Sequence, residues 1–237
     1  MPLWGTTMAS AEAAANPGLY RLLAWLSPGF PTGAFSYSHG LEAAAAGGAI
    51  CDRVSLEAWI VAIIAHGSGR IDADILCNAY RAAAAGDHAA LAAANRRGIA
   101  FRATSELSLE AARQGAAFFA TCMAAWPDAF LAEWQPGAGV CHAAAFGAVA
   151  ARAGIALADA TLGYLHAFAV NLIGAGLRLG LIGQTDGQRI LAAIERVVGQ
   201  AAAAALVRKA ADFGTATLAA DLASIAHETQ YSRLFQS

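Results

Sequence analysis

Lysine is almost missing from this chain of 237 residues: Lys209 is the single one, and the other fourteen positive residues are arginine. A P-loop requires a lysine between glycine and Ser or Thr, because its ammonium bridges the β and γ phosphates. Lys209 lies between Arg208 and Ala210, which excludes that nucleotidase class and confines Schiff-base chemistry to one position. Charge is scarce as well. Charged residues make up 14% of the chain, the net charge is −2 and the pI is near 6.3. No long basic run is present, so the electrostatic footprint of a nucleic-acid binder is lacking. Cys51, Cys77, Cys122 and Cys141 form no CxxC pair and sit among apolar neighbours. They read as buried free thiols in a reducing compartment. No basic residue precedes Arg21 and no long apolar run does either, so no secretory leader is expected and the cytoplasm is the expected location.

Catalytic motifs are equally sparse. There is no GxSxG elbow. Gly174-Ala-Gly176-Leu-Arg-Leu-Gly180 lacks the third spacing of a dinucleotide loop and ends an apolar helix instead of joining a strand to a helix. His227-Glu228-Thr229-Gln230 begins like a zincin motif, but Tyr231 stands where the second histidine ligand would be. Cys141 and His142 are adjacent, so on a helix they point in different directions; Asp72 and Asp74 diverge for the same reason. His39, His66, His88 and His166 stand alone. No catalytic residue, resident metal or cofactor is assigned, and the chain reads as a binding protein that is not an enzyme. A metalloenzyme with ligands from distant helices remains as an alternative.

What the sequence does have is alanine, about a quarter of all residues, in a chain that is 58% hydrophobic. Alanine has the highest helix propensity, and its small side chain lets helices pack closely. The expected fold is all-α: one helical-bundle-like domain of about nine or ten helices over residues 17–229, with a flexible tail over 1–16 and a short end over 230–237. Leu107, Ala111, Gln114, Phe118 and Cys122 recur at i, i+4, i+7, i+11 and i+15, one face of a helix ending before Pro127. Ser55 is the expected N-cap of a helix carrying Leu56, Trp59, Ile60, Ile63 and Ile64, and Ser36 or Ser38 of the one before it. Thr185-Asp186-Gly187-Gln188 has the capping-box spacing. The last helix carries Leu218, Leu222 and Ile225, and an exposed end follows Thr229.

A mean hydropathy of +0.48 raises the alternative of a small membrane-associated helical protein. The best span, Ala160 to Leu177, contains His166, Asn171 and three glycines and is closely flanked by Asp159 and Arg178. A spanning helix needs about 20 predominantly apolar residues, so a buried core helix is the expectation and no membrane contact is assigned.

Two segments stand out from the alanine background: Ser27-Pro-Gly-Phe-Pro-Thr-Gly-Ala-Phe-Ser-Tyr-Ser-His-Gly-Leu-Glu42, and His227-Glu-Thr-Gln-Tyr-Ser-Arg-Leu-Phe-Gln-Ser237. Both resemble signatures of the urease accessory protein UreF family. So do Glu106-Leu107 through Arg113-Gln114, His142 to Gly147, Leu165-His166 through Asn171-Leu172, and Arg178 to Gln188. The chain departs from the family pattern at Leu181, where proline is usual, and at Gln236, where arginine is frequent. The resemblance implies a homodimeric, non-catalytic scaffold that bridges a UreD/UreH-type accessory protein and the GTPase UreG. Through that complex it would support GTP-dependent nickel insertion into apo-urease. It further implies that Ser36, Tyr37, Ser38, Gly40 and Glu42 belong to a GTPase-facing or dimer-proximal surface. Tyr231, Arg233, Leu234 and Phe235 would belong to a surface ordered by the UreD-type partner, while Arg178 and Gln184 would serve the fold.

Overall fold

The computed structural model describes residues 17–137 and 139–237, so the flexible tail expected over 1–16 lies outside the described residues. Those residues form α1 (Pro17–Leu26), α2 (Leu41–Ala46), α3 (Arg53–His66), α4 (Ser68–Ala84), α5 (His88–Ala100) and α6 (Ser105–Ala125). They continue through α7 (Ala129–Ala132), α8 (His142–Arg152), α9 (Leu157–Arg178), α10 (Gln184–Val207) and α11 (Leu218–Glu228). Short 3-10 turns occupy Ala34–Ser36 and Ala210–Asp212, and no strand occurs among the described residues. Nine of the helices have ten residues or more, as the periodicity predicts, and α2 and α7 are single short turns.

Helix α4 lies at the centre, packed against α3, α5, α8, α9 and α10. Its Ala73, Ile75, Leu76, Ala79 and Ala83 are completely buried. Helix α8 meets it with Ala143, Ala144, Ala145, Ala148 and Ala150, also completely buried. A Cβ on Gly147 would stand 2.3 Å from the Leu76 carbonyl oxygen, so this crossing requires a residue with no side chain. Alanine on both helices gives closeness rather than a large transfer energy. Larger side chains such as Phe118, Leu56 and Ile60, each with no exposure, contribute about 1.5–3 kcal/mol apiece. Trp25, Phe118 and Phe146 meet at ring-centroid distances of 5.2–5.9 Å, where α1, α6 and α8 converge.

Local chemistry differs from expectation at several helix ends. Asp52, not Ser55, caps α3: its Oδ1 accepts the Ser55 amide at 2.8 Å, and the Ser55 hydroxyl accepts the Asp52 amide at 3.1 Å. A carboxylate at the positive end of the helix is the better acceptor, and the serine takes the reciprocal place three residues on. The Thr185 box does not form, because α10 already begins at Gln184 after an extended Gly183; a residue inside the helix cannot serve as its cap. At α2 the capping position is Gly40, in the left-handed region at φ +78°. Ser36 closes the preceding 3-10 turn, while the Ser38 hydroxyl accepts the Glu42 amide at 3.2 Å. Cys51 is exposed, whereas Cys77, Cys122 and Cys141 are buried. The end after Thr229 is not wholly exposed either: Phe235 and Ser237 are buried.

Candidate functional site

The turn that follows α1 contains two prolines and two glycines within seven residues, and this blocks helical continuation. Gly33 at φ +76°, His39 at φ 58° and Gly40 at φ +78° then bend the chain into α2. His39 is a non-glycine residue in the left-handed region, a strained conformation that its surroundings must hold. Its ring does so: Nδ1 faces Glu110 Oε2 at 3.2 Å and Nε2 pairs with the Ser68 hydroxyl at 2.7 Å. At Gly40 a Cβ would stand 3.0 Å from the Ser224 amide nitrogen, so α2 and α11 approach backbone to backbone. That contact brings the two unusual sequence segments together.

Glu42, 7% exposed, is the centre of the junction. Its Oε1 accepts the Leu234 amide at 2.7 Å, and its Oε2 accepts the Phe235 amide at 2.9 Å and faces His227 Nε2 at 3.2 Å. The other ring nitrogen of His227 faces Glu106 Oε2 at 2.7 Å. Carboxylates only accept, so the completely buried ring stands between two acceptor groups, one at each of its nitrogens. Arg233 donates to the second oxygen of Glu106 at 2.8 Å. A third carboxylate, Glu110, accepts from the Ser237 hydroxyl at 2.8 Å and from the Gln114 amide at 3.1 Å. Burial pushes the Glu110 carboxyl up, but the facing His39 and the Ser237 hydroxyl outweigh it and hold the group below the usual glutamate range.

Backbone pairing completes the clasp. The Gln236 amide donates to the Ser36 carbonyl at 2.8 Å and the Ser38 amide to the Ser237 carbonyl at 2.8 Å, an oxygen that the Ser38 hydroxyl also reaches. The guanidinium of Arg178 lies between two rings, 3.9 Å from the centroid of Phe35 and 4.4 Å from that of Phe235, and donates to the Phe35 carbonyl. Asn171 donates to the Tyr37 carbonyl at 3.3 Å, and Arg113 to the Gln236 side chain at 2.9 Å.

The residues singled out in the sequence therefore meet at one place. Ser36, Tyr37, Ser38, Gly40, Glu42, Arg233 and Phe235 all belong to the clasp, although the resemblance implies two separate surfaces. Phe235 is turned inward at 4% exposure, whereas Tyr231 and Leu234 remain exposed. His39, Glu106, Glu110, Arg178 and His227 are among the members that sequence reasoning did not assign to the site. Its signal for them was indirect, since Glu106, Arg113, Gln114, Asn171 and Arg178 all lie within the further matching stretches.

Around the clasp several large apolar side chains are exposed. On α11 the inward stripe is Ala220, Ser224 and His227, while Leu218, Leu222 and Ile225 are 70%, 54% and 51% exposed. A helix with its polar stripe inward and its leucines outward has the reverse of ordinary amphipathicity. With Tyr231 at 105%, Leu234 at 63% and Phe35 at 72% exposure, they make apolar surface of the kind that marks interaction sites.

Beneath the turn lies a cavity of about 80 Å³ that touches Trp25, His39, Arg102, Glu110 and His142. There Arg102 pairs with Asp72, to which the Tyr164 hydroxyl donates at 3.0 Å. Burial lowers the His142 pKa to about 4, which leaves the ring neutral. Among the described residues no three His, Cys, Asp or Glu side chains are grouped as a metal site.

Comparison with known proteins gives a consistent result. A family model described as UreF matches residues 50–195. The chain is 45% identical over 235 residues to a protein of Rhodopseudomonas palustris (strain BisB5) named urease accessory protein UreF, covering 98% of this chain and 96% of the relative. A protein of the same name from Azorhizobium caulinodans is 45% identical over 97% of this chain and 100% of its own length. One from Granulibacter bethesdensis is 43% identical over 97% and 98%.

Proposed function

The chain belongs to the UreF family of urease accessory proteins, and on that premise we propose that it serves urease maturation as a non-catalytic scaffold in the cytoplasm. In this reading it bridges a UreD/UreH-type accessory protein and the GTPase UreG, and through that complex supports nickel insertion into apo-urease. Nickel is the cargo of the assembly, and no residue of this chain is assigned to hold it.

The observation that carries the reading is the outward apolar stripe Leu218, Leu222 and Ile225 beside the clasped tail. Leucines that could have been turned inward are displayed, while the clasp fixes the backbone that displays Tyr231 and Leu234. The UreD-type protein is assigned to this surface. The neighbouring edge, with exposed Phe35 stacked on Arg178, is assigned to the GTPase. The scaffold supplies no reacting group there. It shifts the nucleotide states of UreG by binding one better than another, to the extent of its differential affinity.

The homodimer is assigned to a different face. A groove of about 620 Å³ runs between α1, α9 and α10 over Leu22, Leu162, Leu191 and Val198, beside the exposed Tyr20 and Leu23. Asp159 and Glu195 line the groove and form no ion pair among the described residues. An apolar ridge beside an apolar groove on one surface suits a second copy related by a two-fold axis.

Helices α9 and α10 are long and apolar enough to cross a membrane by length and composition. Packing against α1, α3, α4 and α8 accounts for the apolar character of α9, and this favours the scaffold over the membrane alternative. Purified UreG, with and without the UreD-type protein, tests the proposal by complex formation and GTP turnover. Complex formation in at least one nucleotide state is expected; no binding in any state, even with the UreD-type protein present, would defeat it.

A further inference from the structure

Three arginines from two helices converge on the segment Leu206–Phe213, on a face that shares no residue with the tail clasp. Arg70 of α4 donates to the Asp212 carbonyl at 3.0 Å, and Arg81 of α4 to the Leu206 carbonyl at 2.6 Å. Arg97 of α5 lies over the Phe213 ring, 5.6 Å from its centroid. The segment itself adds Arg208 and Lys209. Three carboxylates oppose these five cations. Asp74 is completely buried and taken by Arg208, and Asp87 accepts the Ala90 amide at the start of α5; Asp212 is the third. Arg70, Arg81, Arg97 and Lys209 form no salt bridge among the described residues, although the charge of Arg70 acts on Asp74. The Nε of Arg70 is buried with no acceptor at all. A protein with a net charge of −2 thus carries a face with a positive excess.

The face has shape as well as charge. Between α4 and α5 runs a groove of about 390 Å³, with Asn78, Arg81 and Arg97 along it, alanines such as Ala82 and Ala90 lining it, and one carboxylate, Asp87, which is engaged by the Ala90 amide. Val207, next to the carbonyl that Arg81 holds, is 81% exposed. Apolar surface edged by arginine is the anatomy of a protein interface, in which arginine is enriched and binds carboxylates through two parallel hydrogen bonds. Single-stranded nucleic acid would call for open aromatic platforms, and Phe213 is already covered by Arg97. A bilayer would call for more inserted apolar surface than Val207 supplies.

We propose that this face docks an acidic segment of a protein partner, with its carboxylates on Arg81 and Arg97 and its apolar side chains on the alanine groove and Val207. The inference rests on the maturation role only for its choice of probes, which are purified apo-urease, the UreD-type protein and UreG. The affinity of the full chain for each is measured at low and high salt and compared with two variants. Arg97→Glu/Lys209→Glu changes two exposed side chains, and Arg81→Gln removes one charge within the groove. At least one of the three proteins is expected to bind both variants more weakly, the charge-reversed one by roughly tenfold or more at low salt, with a flatter salt dependence. Binding of all three proteins within twofold of wild type would overturn the inference while leaving the maturation role standing. Wild-type protein that bound none of them would overturn both. Tighter binding to a single-stranded RNA 20-mer or to anionic phosphatidylserine vesicles than to any of the three would also overturn it.

Discussion

Replacing Glu42 with alanine isolates the clasp, because one carboxylate serves three donors from the far end of the chain. The amides of Leu234 and Phe235 and the ring of His227 all lose their acceptor together. Removing one partner from a buried charged cluster costs about 3–5 kcal/mol, more than an ordinary hydrogen bond contributes, because the remaining donors stay desolvated. The tail keeps other anchors at Ser36, Ser38, Glu106, Glu110 and Arg178, but none of them replaces the acceptor beneath the Leu234 and Phe235 amides. The expected outcome is local release of residues 230–237 with the helical body intact, since the buried cores of α4 and α8 do not touch Glu42. At tenfold per 1.4 kcal/mol, hydrogen exchange of the tail amides should quicken by roughly a hundredfold to a few thousandfold. Exchange in α4 should stay the same. Glu57→Gln, which removes a half-exposed i,i+4 partner of Arg53, serves as the control and should change stability by about 0.5 kcal/mol or less. Tail exchange in Glu42→Ala within threefold of wild type would refute the reasoning.

The remaining predictions probe other parts of the structure. Glu110 is held below the usual glutamate value of 4.5, so its contribution is fully present above that value and is lost as pH falls through its lowered folded pKa; tail exchange should quicken as the solution is acidified past that point, and Glu110→Gln should flatten that dependence. Gly147→Ala forces a Cβ against the Leu76 carbonyl at the α4–α8 crossing; a loss of about 3 kcal/mol, roughly 6–12 °C in Tm, is expected in a thermal melt. Leu222→Glu, on the outward face of α11, should leave Tm within about 2 °C, as surface changes do, yet abolish detectable binding of the UreD-type protein in size-exclusion chromatography. Leu23→Glu beside the α1–α9–α10 groove should convert a dimer to a monomer in light scattering, with unchanged helicity.

The helices were legible because the solvent-averse face repeats at the helical period. The stripe from Leu107 to Cys122 is buried at every predicted position. Helix ends were less so, since Asp52, Ser55 and Thr185 are all competent caps and only the direction of chain entry decides which is used. The clasp lay further from reach. His39, Glu106 and Glu110 are ordinary residues in sequence, and their role arises from α6 passing beside α2 and α11, with contacts separated by more than seventy residues. Phe235 reads as an exposed aromatic near a terminus; the Arg178 sandwich, built from α9, and the Glu42 carboxylate that accepts its amide hold it inward. The outward leucines of α11 misled in the opposite sense. Their spacing fits a core stripe as well as a surface one, and the small or polar stripe that faces the body instead is set by the close passage of Gly40.

The central claim is that residues 230–237, fixed against Ser36–Glu42, form part of the surface offered to the UreD-type protein. The most direct measurement is the Kd of that protein for the full chain and for a chain ending at Glu228, which keeps His227 and the whole of α11. At least a hundredfold weaker binding by the shortened chain, with an unchanged helical melt, is the predicted result. Equal affinity for the two chains would contradict the claim.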